Sequence, residues 1–339
     1  MRQKAYPLRF APICQYRLWG GQHLAGLLGV PLPDGGPFGE AWILSDRDDH
    51  ASVVTNGPLQ GQTLPQIMLH SRAELMGRIA QQFPRFPLLL KFLDARQMLS
   101  VQVHPGYTDG GRLPIDPQAK TEAWVVLQRG AGGRIYAGLK SGATVETLRL
   151  AIAEEALPEA LTLIRPEIGD AIFIPAGTVH SLGDDVVVFE IQQNCDTTFR
   201  LYDWDHVDSE THQPRALQVE QALACIDFKS NGAGHIQPTV ETEASPRRER
   251  LFDCEFFQLS RISGRLSFEV GEYGMPRVLV CLDGAGKIEH QGQPHPIRKG
   301  EVWLLPASVG PLTFQPDEAV TLLEASIPGH PRTPAERML

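Results

Sequence analysis

Short apolar runs, each closed by glycine, proline or charged residues, recur along most of the chain and predict strands. Residues 40–55 (EAWILSDRDDHASVVT) read as two short strands around a charged turn. Residues 87–104 (PLLLKFLDARQMLSVQVH) read as a buried strand, a turn and a second strand. Helical spacing is confined to three stretches. Within 63–82, Leu64, Ile67, Met68, Leu75 and Ile79 share one face, with Thr63 placed to cap and Pro65 in the first turn. Residues 144–164 read as helical with a break at Pro158, and 216–226 as a further short helix. The polar stretch 229–250 is poor in apolar residues and reads as a linker, dividing the chain into 1–228 and 251–339.

An internal repeat sharpens this picture. GDAIFIPA (169–176) matches GEVWLLPA (300–307): glycine, acid, four apolar residues, then Pro-Ala. Upstream, VVLQRGAGGRI (125–135) parallels VLVCLDGAGKI (278–288) in the same order. The first copy carries 23 more residues between these marks, and they fall on the stretch read as helical. One β unit therefore occurs twice. Many short strands with glycine and proline turns fit a mainly β fold of two tandem double-stranded barrels, with a few helices in and beside the first.

Composition narrows the function classes. The 339 residues carry 31 Lys and Arg against 40 Asp and Glu, a net charge of −9. Such an acidic balance argues against a nucleic-acid or anionic-membrane partner, while leaving room for a local basic pocket. The five cysteines are scattered without a CxxC pair, so neither a disulfide framework nor a thiolate zinc site is expected. With no signal-like apolar segment and no long apolar run, the expectation is a cytoplasmic protein. No P-loop, Rossmann glycine triplet or GxSxG is present.

Candidate chemistry clusters in the first copy. In SVQVH (100–104), alternation puts Ser100, Gln102 and His104 on one face of a strand whose other face is valine. Lys120 and Glu122 share a parity in KTEAW, and His180 ends the first repeat's strand. One amide oxygen, two imidazoles and one carboxylate suit a divalent ion such as zinc, with positions left open. The second copy has Pro311 where the first has His180, and Pro276 where it has Glu122, so only one barrel keeps the set. Downstream, Asp196, Thr198 and Arg200 share a face if extended. Arg200 offers a fork for phosphate, with a structural Asp196–Arg200 salt bridge as the competing account.

At LSVQVHP (99–105), KTEAW (120–124), GDAIFIPAGTVHSLG (169–183) and FEIQQNCDTTFRLYDWD (189–205), with FGEAWILS (38–45) near the start, the sequence resembles type I phosphomannose isomerases of the short bacterial form. The resemblance implies a cupin fold and one zinc per chain held by Gln102, His104, Glu122 and His180. It implies active-site roles for Arg200, Lys120 and Asp196, with Ser100, Lys120 and Arg200 contacting the substrate phosphate. It implies interconversion of mannose 6-phosphate and fructose 6-phosphate through an enediol, the base being Asp196, Lys120 or a water. Cys195 before Asp196, and a 206–219 segment without the family's usual glycine, depart from the pattern. A cupin dioxygenase, a non-catalytic sugar-binding cupin and an isomerase of another sugar phosphate are the competing readings. Monomer and dimer both remain open.

Overall fold

The computed structural model describes residues 5–33, 36–106, 119–208, 212–229 and 233–329. Its strands form two pairs of sheets. In the first pair, the large sheet runs in the order Gly234–Ile236, Ala171–Ile174, Glu122–Arg129, Val186–Gln193, Leu88–Ala95, Ile13–Gly21, Phe38–Leu44. Facing it lie Phe199–Tyr202, Val101–Val103, His180–Gly183, Arg134–Leu139 and Leu161–Ile164. The second pair repeats that order: Val302–Leu305, Arg277–Asp283, Val320–Ser326 and Gln258–Gly264 stand where Ala171–Ile174, Glu122–Arg129, Val186–Gln193 and Leu88–Ala95 do. Its smaller sheet, Phe268–Val270, Leu312–Pro316, Ala285–His290, Gln293–Arg298, matches the first one's four-strand core. This is the mainly β, duplicated architecture that the repeat predicts, and it agrees with the cupin fold that the resemblance implies.

Alternation explains how each large sheet is buried on both faces. In Arg277–Asp283, Val278 and Val280 join the core shared between the units, while Leu279 and Cys281 point into the second barrel. Likewise Ala123 and Val125 enter the shared core, and Trp124 and Val126 the first barrel. The helix Leu64–Met76 packs into the shared core through Leu64, Ile67, Met68, Leu75 and Met76. Thr63 and Gln66 close its start as a reciprocal capping box.

Several local expectations change. The region read as helical to 164 ends its α-helix at Ala153 (Val145–Ala153), and Leu161–Ile164 becomes an edge strand on Arg134–Leu139. Tertiary pairing there overrides a weak helical signal. Within 40–55 only Phe38–Leu44 is a strand, and Val53 and Val54 make isolated bridges. The helix at 216–226 shortens to Val219–Cys225, and an unforeseen helix spans His23–Leu28.

The 229–250 stretch, expected to be a linker, contributes strands to both units. Gly234–Ile236 adds to the edge of the first large sheet, and Thr239–Thr242 and Arg247–Asp253 extend the second. It looked like a linker because the edge strand Thr239–Thr242 is fully exposed, so nothing in it needs to be apolar. In return, Leu8–Arg9 pairs with Val302–Leu305 of the second unit. Each unit thus receives a strand from the far side of the other.

Candidate metal centre

The site lies between the two sheets of the first barrel. Cross-strand register builds it: His180 pairs with Gln102, and Gln102 with Arg200, so the three stand in a row across the smaller sheet. On the facing sheet, Trp124, Glu190 and Lys91 form a second row by the same logic. Glu122 lies two residues before Trp124 and therefore points into the same interior.

His104, Glu122 and His180 are almost fully buried, and one ligand atom from each falls within 4.8 Å of the others. Backbone carbonyls set the imidazoles. His104 Nδ1–H donates to Thr197 O at 3.0 Å and His180 Nδ1–H to Thr178 O at 2.8 Å. Both Nε2 lone pairs are thereby turned inward, 3.3 and 3.4 Å from the two Glu122 oxygens. Neither Glu122 oxygen receives an aligned hydrogen bond. Two imidazole nitrogens and both carboxylate oxygens converge in a dry interior with the Lys120 ammonium at their edge, 3.1 Å from His104 Nε2, and as a donor set they fit a divalent metal. Gln102 stands beside it: its amide lies 3.2 Å from His180 Nε2, and its other end accepts from Ser100 Oγ at 3.1 Å. Turning that amide over would put its oxygen among the ligands and its NH₂ toward Ser100.

Electrostatics agree. Burial, and then the Lys120 ammonium, push His104 down to about 3, which keeps it neutral. Burial lowers His180 as well. Burial opposes charge on Glu122, yet Lys120 and His104 hold its carboxyl well below the usual range. Lys120 Nζ sits 2.9 Å from Glu122 Oε2.

Beside this centre opens a cavity of about 440 Å³, lined among others by Ser100, Gln102, Lys120, Asp196, Thr198 and Arg200. All eight residues singled out in the sequence therefore converge. The expected Asp196–Arg200 salt bridge does not form. Asp196 pairs instead with Lys91 at 3.2 Å, because Lys91 stands beneath it from the opposite sheet. Arg200 has no ion pair or side-chain hydrogen bond among the described residues, and its Nε is buried without a partner.

Five charged lining residues escaped the sequence reading: Arg17, Glu40, Lys91, Glu190 and Arg215. Lys91 Nζ lies 3.6 Å from both Glu40 and Glu190 and 4.7 Å above the Trp42 ring. A lone charge inside an apolar strand, as in PLLLKFL and VVVFEI, was the available signal.

Among the described residues the second barrel holds no such centre. Register places Arg277, rather than the sequence-aligned Pro276, opposite Leu305 as Glu122 is opposite Ile174. A stacked Phe268–Phe314 pair fills the second barrel's interior, Phe314 standing opposite Ile288 as Leu182 stands opposite Ile135 in the first. No helix among the described residues is long and apolar enough to cross a membrane.

Comparison with known proteins gives a consistent answer. The phosphomannose isomerase type I catalytic domain matches residues 8–122. The chain is 33% identical over 307 residues to mannose-6-phosphate isomerase ManA of Bacillus subtilis, covering 90% of this chain and 94% of that one. It is 32% identical over 320 residues to mannose-6-phosphate isomerase of Streptococcus mutans, covering 92% and 96%. The crystal structure of the mannose 6-phosphate isomerase from Bacillus subtilis superposes with a TM-score of 0.84 at 26% identity, covering 95% and 99%.

Proposed function

The chain belongs to the type I phosphomannose isomerase family, and from that membership we propose that it interconverts mannose 6-phosphate and fructose 6-phosphate through an enediol. Gln102, His104, Glu122 and His180 would hold one zinc ion. The observation that carries this reading is the inward-facing cluster of His104, Glu122 and His180 beside a cavity lined by Arg200, which has no ion pair among the described residues. Bound zinc would supply Lewis acidity toward the sugar oxygens on which negative charge develops.

The protein's own side chains account for the remainder. Arg200, with Ser100, anchors the phosphate away from the reacting carbons and so fixes C1 and C2 near the metal centre. Isomerisation takes a proton from C2, moves hydroxyl protons between O1 and O2, and delivers a proton to C1, with no net redox change. Two carboxyls in the cavity have opposite proton affinities. Burial, and then the charge of Glu122, push Glu190 up to about 7. Burial works the same way on Asp196, but Lys91 and Lys120 outweigh it and hold that group at about 2. Of the two, Glu190 has the higher proton affinity, while Asp196 stays ionised.

A coupled assay in D₂O tests the reading. Fructose 6-phosphate should form from mannose 6-phosphate and carry solvent deuterium at C1. Turnover with no deuterium incorporated, even after prolonged equilibration, would contradict the proton-transfer path.

A further inference from the structure

We propose that Arg215 is a second, preorganised ligand for the substrate's phosphate, and that Asp203 is the positioning residue that holds it. The inference rests on the sugar-phosphate reading above. A phosphate monoester is close to a dianion at neutral pH, and one guanidinium matches only half of that charge. Arg200 and Arg215 line the same cavity, together with the hydroxyls of Ser100 and Thr198.

The chain spends much local structure on holding Arg215 there. Its Nε donates to Asp203 Oδ2 at 2.8 Å and its Nη2 to Oδ1, a two-point grip that leaves Nη1 without a partner among the described residues. Asp203 is itself buried, and its carbonyl accepts from His206 N across a turn whose central residues, Trp204 and Asp205, have φ of 52° and 55°. Left-handed backbone is strained for a tryptophan, and it persists here because the indole Nε1 donates to Leu99 O at 2.6 Å. The returning chain is closed by the Val207–Pro214 bridge. It is then stitched to Arg200: Gln218 N donates to Arg200 O at 2.9 Å, and Arg200 N donates to Gln218 Oε1 at 3.1 Å. Two guanidinium groups are thus brought to one cavity wall, with one carboxylate between them to temper their repulsion. That arrangement suits a bound dianion.

The test uses the purified full chain, zinc-loaded. KM and kcat for mannose 6-phosphate and the inhibition constant of inorganic phosphate are measured for Arg215→Ala, Arg215→Lys and Asp203→Asn. Arg215→Ala should raise both KM and the inhibition constant about 10- to 100-fold, with the loss concentrated in KM. Asp203→Asn should raise both by a smaller factor, and Arg215→Lys should recover part of the loss while lacking the fork. Arg247→Ala, on the second barrel's surface, should leave both unchanged. If Arg215→Ala melts like the parent and keeps its KM and phosphate inhibition, the inference fails and the proposed reaction stands. If Arg215→Ala does not fold, Arg215→Lys decides by the same two constants. If the parent turns over no mannose 6-phosphate, the proposed reaction fails. Calorimetric titration of inorganic phosphate into parent and Arg215→Ala then still tests the arginine, equal affinities overturning it.

Discussion

Glu122 is the one anion between two neutral imidazoles, so Glu122→Gln removes the charge while keeping the shape. We expect metal content to fall from one ion per chain to near zero and turnover to drop more than about 100-fold. Plasma emission spectroscopy beside the coupled assay checks both. Lys91 poses a different problem, since it is the ammonium on which Glu40, Glu190 and Asp196 converge. Lys91→Met leaves buried carboxylates uncompensated and should cost about 3–5 kcal/mol in urea unfolding. Asp196 adds a pH signature. Its carboxyl is held at about 2, below its ordinary value, so its contribution to stability is complete above about pH 4 and is lost as pH falls through 2. Asp196→Asn should flatten the acid limb of the melting curve between those values. The ligands were legible because alternation in SVQVH and the paired KTE leave polar groups on a core face. Lys91 and Glu190 were not, because only the three-dimensional row across the sheet shows that their partners are one another.

At the scale of single elements, the repeated Gly-acid turn shows why sequence matched so well. Gly169 and Gly300 both sit at positive φ, 92° and 81°, where a side chain is strained. The acid that follows has the same task each time: Asp170 accepts from Glu167 N at 2.8 Å, and Glu301 from Arg298 N at 3.1 Å. A Cβ on Gly300 would also come within 2.1 Å of Leu27 O, on the helix that bridges toward the second barrel. Gly300→Ala should therefore destabilise by more than about 1 kcal/mol, read from the denaturant midpoint. The helix read over 144–164 was half right for a physical reason. Val145–Ala153 has its own capping box, whereas Leu161–Ile164 is decided by hydrogen bonds to Arg134–Leu139, which no local pattern reveals.

Across the whole molecule, duplication has divided the labour. One barrel keeps an open, charged interior, and the other fills its own with Phe268, Phe314 and Trp303. The reciprocal edge strands, Leu8–Arg9 on the second unit and Gly234–Ile236 on the first, tie the two together over a shared apolar core. We expect one cooperative thermal transition, with the calorimetric and van't Hoff enthalpies equal. Two separated transitions would show that the units are energetically independent. The repeat itself was visible in the sequence, but these edge pairings were not, because strands of two and three residues are too short to show a period.

The account stands most directly on metal dependence. The full chain is stripped with a chelator, assayed with mannose 6-phosphate, and titrated with zinc while bound metal is counted. Activity should vanish on stripping and return in proportion to zinc, saturating at one ion per chain. Full isomerase activity in a chain shown to hold no metal would contradict it.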